Sequence, residues 1–303
     1  MEDHSGILLE SGTNELEIIE FEINNNNFGI NVLKVKEIIN PLPITSIPHA
    51  HPNILGIMQL RGEVMPVVSL EKALGLAQNG SYDPAKEKFI VAEFNLMKVV
   101  FHVHNVTKIH RISWNKIEKP TELYDVDSSQ IIGVINNLDS MILLLDFEKI
   151  IVDINPEAGI HVGKIKKLGE RERSSKRIIA AEDSPLLRKL LNETLSMAGY
   201  ENIEFFENGR DALSYIESLV NEGKNIYDEV QLVITDIEMP QMDGHHLTKR
   251  IKENHRISKL PVIIFSSLIT EDLRHKGEQV GAADQVSKPE INELVIKIDQ
   301  HIL

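Results

Sequence analysis

Two hydrophobic rhythms divide this chain, and no single layered fold accommodates both. After residue 175, apolar runs too short for a helix alternate with stretches of helical spacing. Ile178 to Ala181 is the first such run. Ser184-Pro185 then supplies a helix cap and a proline at the first helical position, and Leu186, Leu187, Leu190, Leu191 and Leu195 follow at helical spacing. The alternation continues through 203–206, 211–220, 232–235, 244–253, 262–265, 271–280, 283–286 and 291–302. It predicts about five strands and five helices, an α/β doubly wound parallel sheet covered on both faces.

Before residue 160 the rhythm is period two. Ile18 to Ile23 alternates, Asn24 to Asn27 supplies a turn, and Phe28-Gly29-Ile30 resumes, which reads as a hairpin. Further strands are expected at 54–60, 64–68, 89–93, 98–104, 131–135 and 141–145, with one helix over Val32 to Ile39. Short strands at this spacing predict an all-β small barrel or pair of barrels.

Charge marks the boundary. Residues 1–160 carry 12 basic and 22 acidic side chains, residues 161–175 carry 5 and 2, and residues 176–303 carry 15 and 22. A short basic stretch with Gly163, Gly169 and Ser174-Ser175 thus separates two acidic bodies and reads as a linker. A net charge of −14 repels phosphate backbones, so nucleic acid is not an expected partner. The absence of cysteine excludes disulfides, thiolate metal sites and thiol nucleophiles. The longest apolar run, Met141 to Leu145, is far shorter than a membrane span, and the amino terminus has no basic signal-peptide head, so a cytoplasmic protein that is not membrane-embedded is expected.

The most informative residues lie where the strands of the second half end. Glu182-Asp183 follow the first strand, and Asp236 follows the third, leading into Ile237-Glu238-Met239-Pro240 and Asp243-Gly244. Doubly wound sheets gather such residues at one edge. Ionised carboxylates so close repel one another unless a cation offsets them, and all-oxygen ligation points to Mg2+. Ser266-Ser267 and Lys288-Pro289 bring a hydroxyl and an ammonium to the same edge, completing a set suited to phosphoryl transfer.

This constellation resembles the response-regulator receiver domain, a flavodoxin-like fold, over residues 176–303. The resemblance implies that Asp236 is the phosphoacceptor and that Glu182, Asp183, Asp236 and the Glu238 backbone carbonyl hold Mg2+. It further implies that Ser266 hydrogen-bonds the phosphoryl group and Lys288 pairs with it. A haloacid-dehalogenase-like phosphatase also uses an aspartate after a strand, but it wants another aspartate two residues on, where this chain has Glu238. One departure stands out: the receiver family carries an aromatic residue three positions before the lysine, and here that position is Gln285.

In the first half, the strand-turn-strand segment Ile54 to Leu70 with Arg61-Gly62 in its turn resembles the CheW-like adaptor domain. So do Phe28-Gly29-Ile30 with Val35 to Ile39, and Gly133-Val134-Ile135. That family folds as two SH3-like barrels, a double barrel that docks the histidine kinase CheA onto methyl-accepting chemoreceptors, and no catalysis is implied. The expected division is 15–155 adaptor, 156–175 linker, 176–303 receiver. Arg61 is either a turn-capping arginine or a contact to receptor or kinase. His102 with His104, and His49 with His51, lack a third ligand in sequence and read as surface or core histidines. Adaptor followed by receiver resembles the architecture of the CheV family. It implies a chemotaxis scaffold, associated with receptor arrays, whose receiver modulates coupling; the alternative is a receiver that serves as a phosphate sink.

Overall fold

The structure, a computed structural model, describes residues 15–76, 82–94, 97–118, 130–137, 140–156 and 173–302. Most of the expected linker, 157–172, lies outside these. The chain divides into two units, Leu16–Ile160 and one holding His161–Leu303.

The first unit is built from β1 (Glu15–Ile23), β2 (Asn26–Asn31), β3 (Val35–Ile39), β4 (Ile54–Leu60), β5 (Glu63–Ser69), the single turn α1 (Leu70–Ala73), β6 (Lys88–Phe94), β7 (Met97–Val103), β8 (Asn105–Ser113), β9 (Ile117–Glu118), β10 (Ile131–Asn137), β11 (Ser140–Leu145) and α2 (Phe147–Ile154). They form a six-stranded sheet in the order β8-β1-β2-β11-β10-β9 and a five-stranded sheet in the order β3-β6-β7-β5-β4. Each sheet buries both faces. Leu16 and Ile18 of β1 pack with Ile112, Ile135, Ile142 and Leu144 on one side. Ile19, Phe21 and Ile23, one position out of phase, enter a cluster that also takes Ile90, Phe94, Phe101 and Phe147. Phe147 of α2 packs at the centre of that cluster, its ring centroid 4.9 Å from that of Phe101 and 6.0 Å from that of Phe94. A third cluster, with Met58, Met65, Val67, Phe89, Val91 and Val100, fills the other face of the five-stranded sheet.

The helix expected over Val32 to Ile39 is absent. A 3-10 turn capped by Asn31 covers Val32–Lys34, and the β-branched residues that follow form β3, paired antiparallel with β6 from Val35↔Ala92 to Ile39↔Phe89. A register shift between Val35 and Glu37 breaks the period-two signal and lets the segment imitate a helical one. The β1–β2 hairpin turns at Asn24 and Asn25, both at positive φ, as an Asn-rich two-residue turn favours.

The second unit alternates β12 (Ile178–Ala181), α3 (Pro185–Met197), β13 (Ile203–Phe206), α4 (Gly209–Asn221), the short α5 (Ile226–Glu229), β14 (Leu232–Thr235), α6 (Gly244–Glu253), β15 (Val262–Ser266), α7 (Glu271–Gln279), β16 (Asp284–Ser287) and α8 (Ile291–Ile302). The sheet order is β13-β12-β14-β15-β16, all parallel. Every residue of β12, β14 and β15 is buried, as sandwiching between helix layers requires. The chain crosses from β12 out to β13 on one side and then back past β12 to β14 on the other, so the carboxyl ends of β12 and β14 flank the crevice where doubly wound sheets place their ligands.

Candidate functional site

At that crevice Glu182 and Asp183 leave β12 and Asp236 leaves β14. Each of the three can present a carboxylate oxygen within 4.8 Å of those of the other two. Among the described residues they form the one acidic or histidine group so arranged. Lys288, just past β16, reaches between two of them. Its Nζ lies 2.8 Å from Glu182 Oε2 and 2.9 Å from Asp236 Oδ2, and its side chain is 2% exposed.

The backbone aims these groups. The Ile237 amide donates to Asp236 Oδ1 at 2.6 Å, and the Ser184 amide donates to Glu182 Oε1 at 3.2 Å. Gly244, opening α6, has no room for a side chain: a Cβ there would overlap the Asp236 carbonyl oxygen and sit 3.1 Å from Thr235 Oγ1. Asp243 caps α6 through the His246 amide at 2.8 Å, so the Asp-Gly pair sets both the helix start and the close approach to Asp236. Ser266 is fully buried at the end of β15, its Oγ accepting the Leu268 amide at 3.2 Å.

Packing density and like charge act together on Asp183. It keeps some contact with solvent, yet burial of its carboxyl, and then the charges of Glu182 and Asp236, push its pKa well above the usual carboxylate range, with Lys288 pulling the other way. Glu238, two residues past Asp236, adds a smaller push in the same direction. One lysine thus partly offsets three acids, and a hard divalent cation would supply what it leaves uncompensated. The donor set fits such an ion, being carboxylate oxygens only.

Arg61 lies in the other unit, at the tip of the β4–β5 hairpin with Gly62, both at positive φ. Its guanidinium grips Glu37 of β3 with two bonds, 3.1 Å to Oε1 and 2.9 Å to Oε2, while its side chain stays 76% exposed. The histidines of this unit serve locally. His104 is buried, accepts the Asn24 amide at 3.1 Å and stacks on Tyr82 at 3.7 Å; His102 lies 3.5 Å from Glu87; His51 accepts the Asn53 amide. His245 of α6, which the sequence reads with His246 as a neutral or solvated helix residue without a catalytic role, is 1% exposed, lies 3.2 Å from the Leu273 carbonyl of α7, and has its pKa lowered to about 4 by burial and then by the Lys276 charge. Its position on the inner face of α6 beside Leu247, Thr248 and Ile251 was the available signal.

A flavodoxin-like sheet with three acids and a lysine at its carboxyl edge, in one chain with an all-β unit of two packed sheets, defines a receiver domain joined to an adaptor domain. Residues 17–155 match the CheW-like domain and residues 178–299 the response regulator receiver domain. The chain is 31% identical over 290 residues to chemotaxis protein CheV3 of Helicobacter pylori, covering 90% of each, and 30% identical over 280 residues to CheV2 of the same organism, covering 88% of this chain and 87% of the other. The solved scaffolding protein TtCheW from Thermoanaerobacter tengcongensis is 27% identical and aligns with 43% of this chain and 88% of its own, with a TM-score of 0.40. The chain belongs to the CheV family of chemotaxis coupling proteins. Among the described residues no helix is long and apolar enough to cross a membrane.

Proposed function

We propose that this protein couples methyl-accepting chemoreceptors to the histidine kinase CheA through residues 15–155, and that residues 176–303, joined by a linker at 156–175, accept the kinase's phosphoryl group on Asp236 and feed back on that coupling. The observation that carries this reading is the placement of Lys288 Nζ between Glu182 and Asp236, with Asp183 beside them. In the transfer, an Asp236 carboxylate oxygen attacks phosphorus, the N–P bond of the phosphohistidine breaks with its electron pair returning to the imidazole, and an acyl phosphate forms. Glu182, Asp183, Asp236 and the Glu238 carbonyl would hold Mg2+, which would supply positive charge to offset the phosphoryl group. Lys288 then exchanges a carboxylate partner for a phosphoryl oxygen, and the Ser266 hydroxyl donates to another. The same site supports slow self-dephosphorylation, without turnover of a small-molecule substrate.

The test is labelling from phosphorylated CheA. Magnesium-dependent, stoichiometric incorporation lost in Asp236→Ala is expected; full labelling of that variant would refute the acceptor assignment. Gln285, standing where the family's aromatic residue is expected, favours a second reading in which the receiver is a phosphate sink. Reconstituted receptor, CheA and this protein, compared with and without beryllofluoride, separate the two: a sink leaves affinity and kinase activity unchanged.

A further inference from the structure

Helix α7 lacks the apolar stripe that anchors other helices of the receiver. Helix α4 buries Ala212, Leu213, Ile216, Leu219 and Val220, and α8 buries Ile291, Leu294, Val295, Ile298 and Ile302. In α7, sequence Glu-Asp-Leu-Arg-His-Lys-Gly-Glu-Gln, the one buried position among the described side chains is Gly277. A helix with so little apolar surface to bury needs another attachment.

Two side chains supply it. From α6, His245 Nε2 lies 3.2 Å from the Leu273 carbonyl oxygen. That oxygen can only accept, so the ring donates from Nε2. From β16, Gln285 Nε2 donates to the Arg274 carbonyl oxygen at 2.7 Å. Consecutive carbonyls of one helix turn are therefore bonded from two different elements, using the second lone pair that helical carbonyls retain. Gly277 makes the second bond possible, since a Cβ there would sit 2.5 Å from Gln285 Cδ. The arrangement carries a cost: Gln285 Oε1 is buried with no hydrogen-bond partner. A buried acceptor left unsatisfied disfavours the conformation that holds it, which is what a displaceable attachment requires. Gln285 pairs in register with Ile264, on the strand that ends in Ser266.

We propose that His245 and Gln285, with Gly277 giving the Gln285 amide its clearance, form a polar clasp that positions α7, and that phosphorylation of Asp236 shifts α7 by opening this clasp. The second half rests on the acceptor reading above. His245 and Gln285 are positioning residues: they act on α7 and not on the phosphoryl group.

Hydrogen-exchange mass spectrometry on the full chain tests both halves. Without any phosphoryl mimic, Gln285→Ala should speed exchange across α7 by about tenfold, the loss of one good hydrogen bond, with α4 and α8 peptides unchanged. Gly277→Ala should act in opposite directions in two backgrounds. Beside Gln285 it expels the amide and speeds exchange; in Gln285→Ala it fits, raises helix propensity and slows exchange. Unchanged α7 exchange in Gln285→Ala, or the same sign in both backgrounds, overturns the clasp.

Beryllofluoride with Mg2+, its binding followed by the bound fluorine resonance, tests the switch. It should raise α7 exchange in the wild type, change it little in Gln285→Ala, and half-saturate Gln285→Ala at a roughly threefold to tenfold lower concentration, because less attachment remains to be broken. Bound beryllofluoride with unaltered α7 exchange overturns the switching role and leaves Asp236 as acceptor. No bound resonance in the wild type overturns the acceptor reading and the switching role together, while the variants without mimic still decide the clasp.

Discussion

Acidification should destabilise the receiver through His245, and the effect can be worked from the structure. The ring is 1% exposed, and Lys276 disfavours its charge while Asp243 and the Leu273 carbonyl favour it. Burial dominates and lowers the pKa from 6.5 to about 4. The unfolded chain therefore binds the proton first. Stability from neutral burial of the ring is fully present above the unfolded value of 6.5, falls as pH drops below it, and stops falling once pH passes below the folded value of about 4. At pH 5 the loss is about 2 kcal/mol, and it approaches about 3 kcal/mol at the acid limit, at roughly 1.4 kcal/mol per unit. The assay is urea denaturation of the whole chain at pH 7.5 and 5.0, followed by pulse-labelling mass spectrometry so that receiver peptides are read apart from the adaptor. His245→Gln cannot titrate, so the difference between the two proteins cancels every other ionising group they share. Wild type should lose about 2 kcal/mol more than His245→Gln over that interval. Equal losses would show that the ring is protonated within the folded receiver and refute the reasoning.

Three further outcomes are expected. Lys288→Met leaves the buried acids without their cation and should lower receiver stability in magnesium-free buffer by about 3 to 5 kcal/mol, with part of the loss regained in millimolar Mg2+; an unchanged urea midpoint would contradict this. Gly244→Ala forces a Cβ onto the Asp236 carbonyl and should cost about 1 to 3 kcal/mol while slowing labelling of Asp236 by acetyl phosphate, both measurable on the same preparation. Arg61→Ala removes an exposed ion pair with Glu37 and should shift adaptor stability by less than about 1 kcal/mol, yet weaken assembly with receptor and CheA by about 1 to 3 kcal/mol in a titration.

What the sequence disclosed follows from how local the controlling interactions are. The receiver's elements were legible because its central strands β12, β14 and β15 are short, buried, mostly apolar runs and its crossovers are punctuated locally, as at Ser184-Pro185 and Asp243-Gly244. Its acids were legible because the topology alone gathers strand ends. The adaptor resisted where long-range pairing decides. Val32 to Ile39 satisfied a helical period, but β6 claims it as an edge strand through a bulge that nothing nearby announces. Strand β8 was missed altogether, the expected strand ending at His104, because its apolar alternation is sparse; it is tied to β1 by polar pairs, His110 to Glu20 at 2.7 Å and Arg111 to Glu17 at 2.6 Å, separated by about 90 residues in sequence. Helix α2 was masked by the apolar run of β11 immediately before it; Asp146, capping through the Lys149 amide, was the local sign of the break.

Gln285 shows how a departure from a family pattern becomes interpretable only in three dimensions. In sequence it is a missing ring. In the structure its amide lies on Gly277 and bonds the backbone of α7, and both of those partners belong to a helix that has almost nothing apolar to bury. An aromatic side chain at position 285 would need space that the Gln285 amide already fills against Gly277, and it would leave the Arg274 carbonyl without its extra donor. Restoring the family residue by Gln285→Tyr should therefore loosen α7, with faster exchange in its peptides than wild type. A tyrosine that leaves α7 exchange unchanged would show that residue 285 is interchangeable with the ring and that the amide has no positioning role.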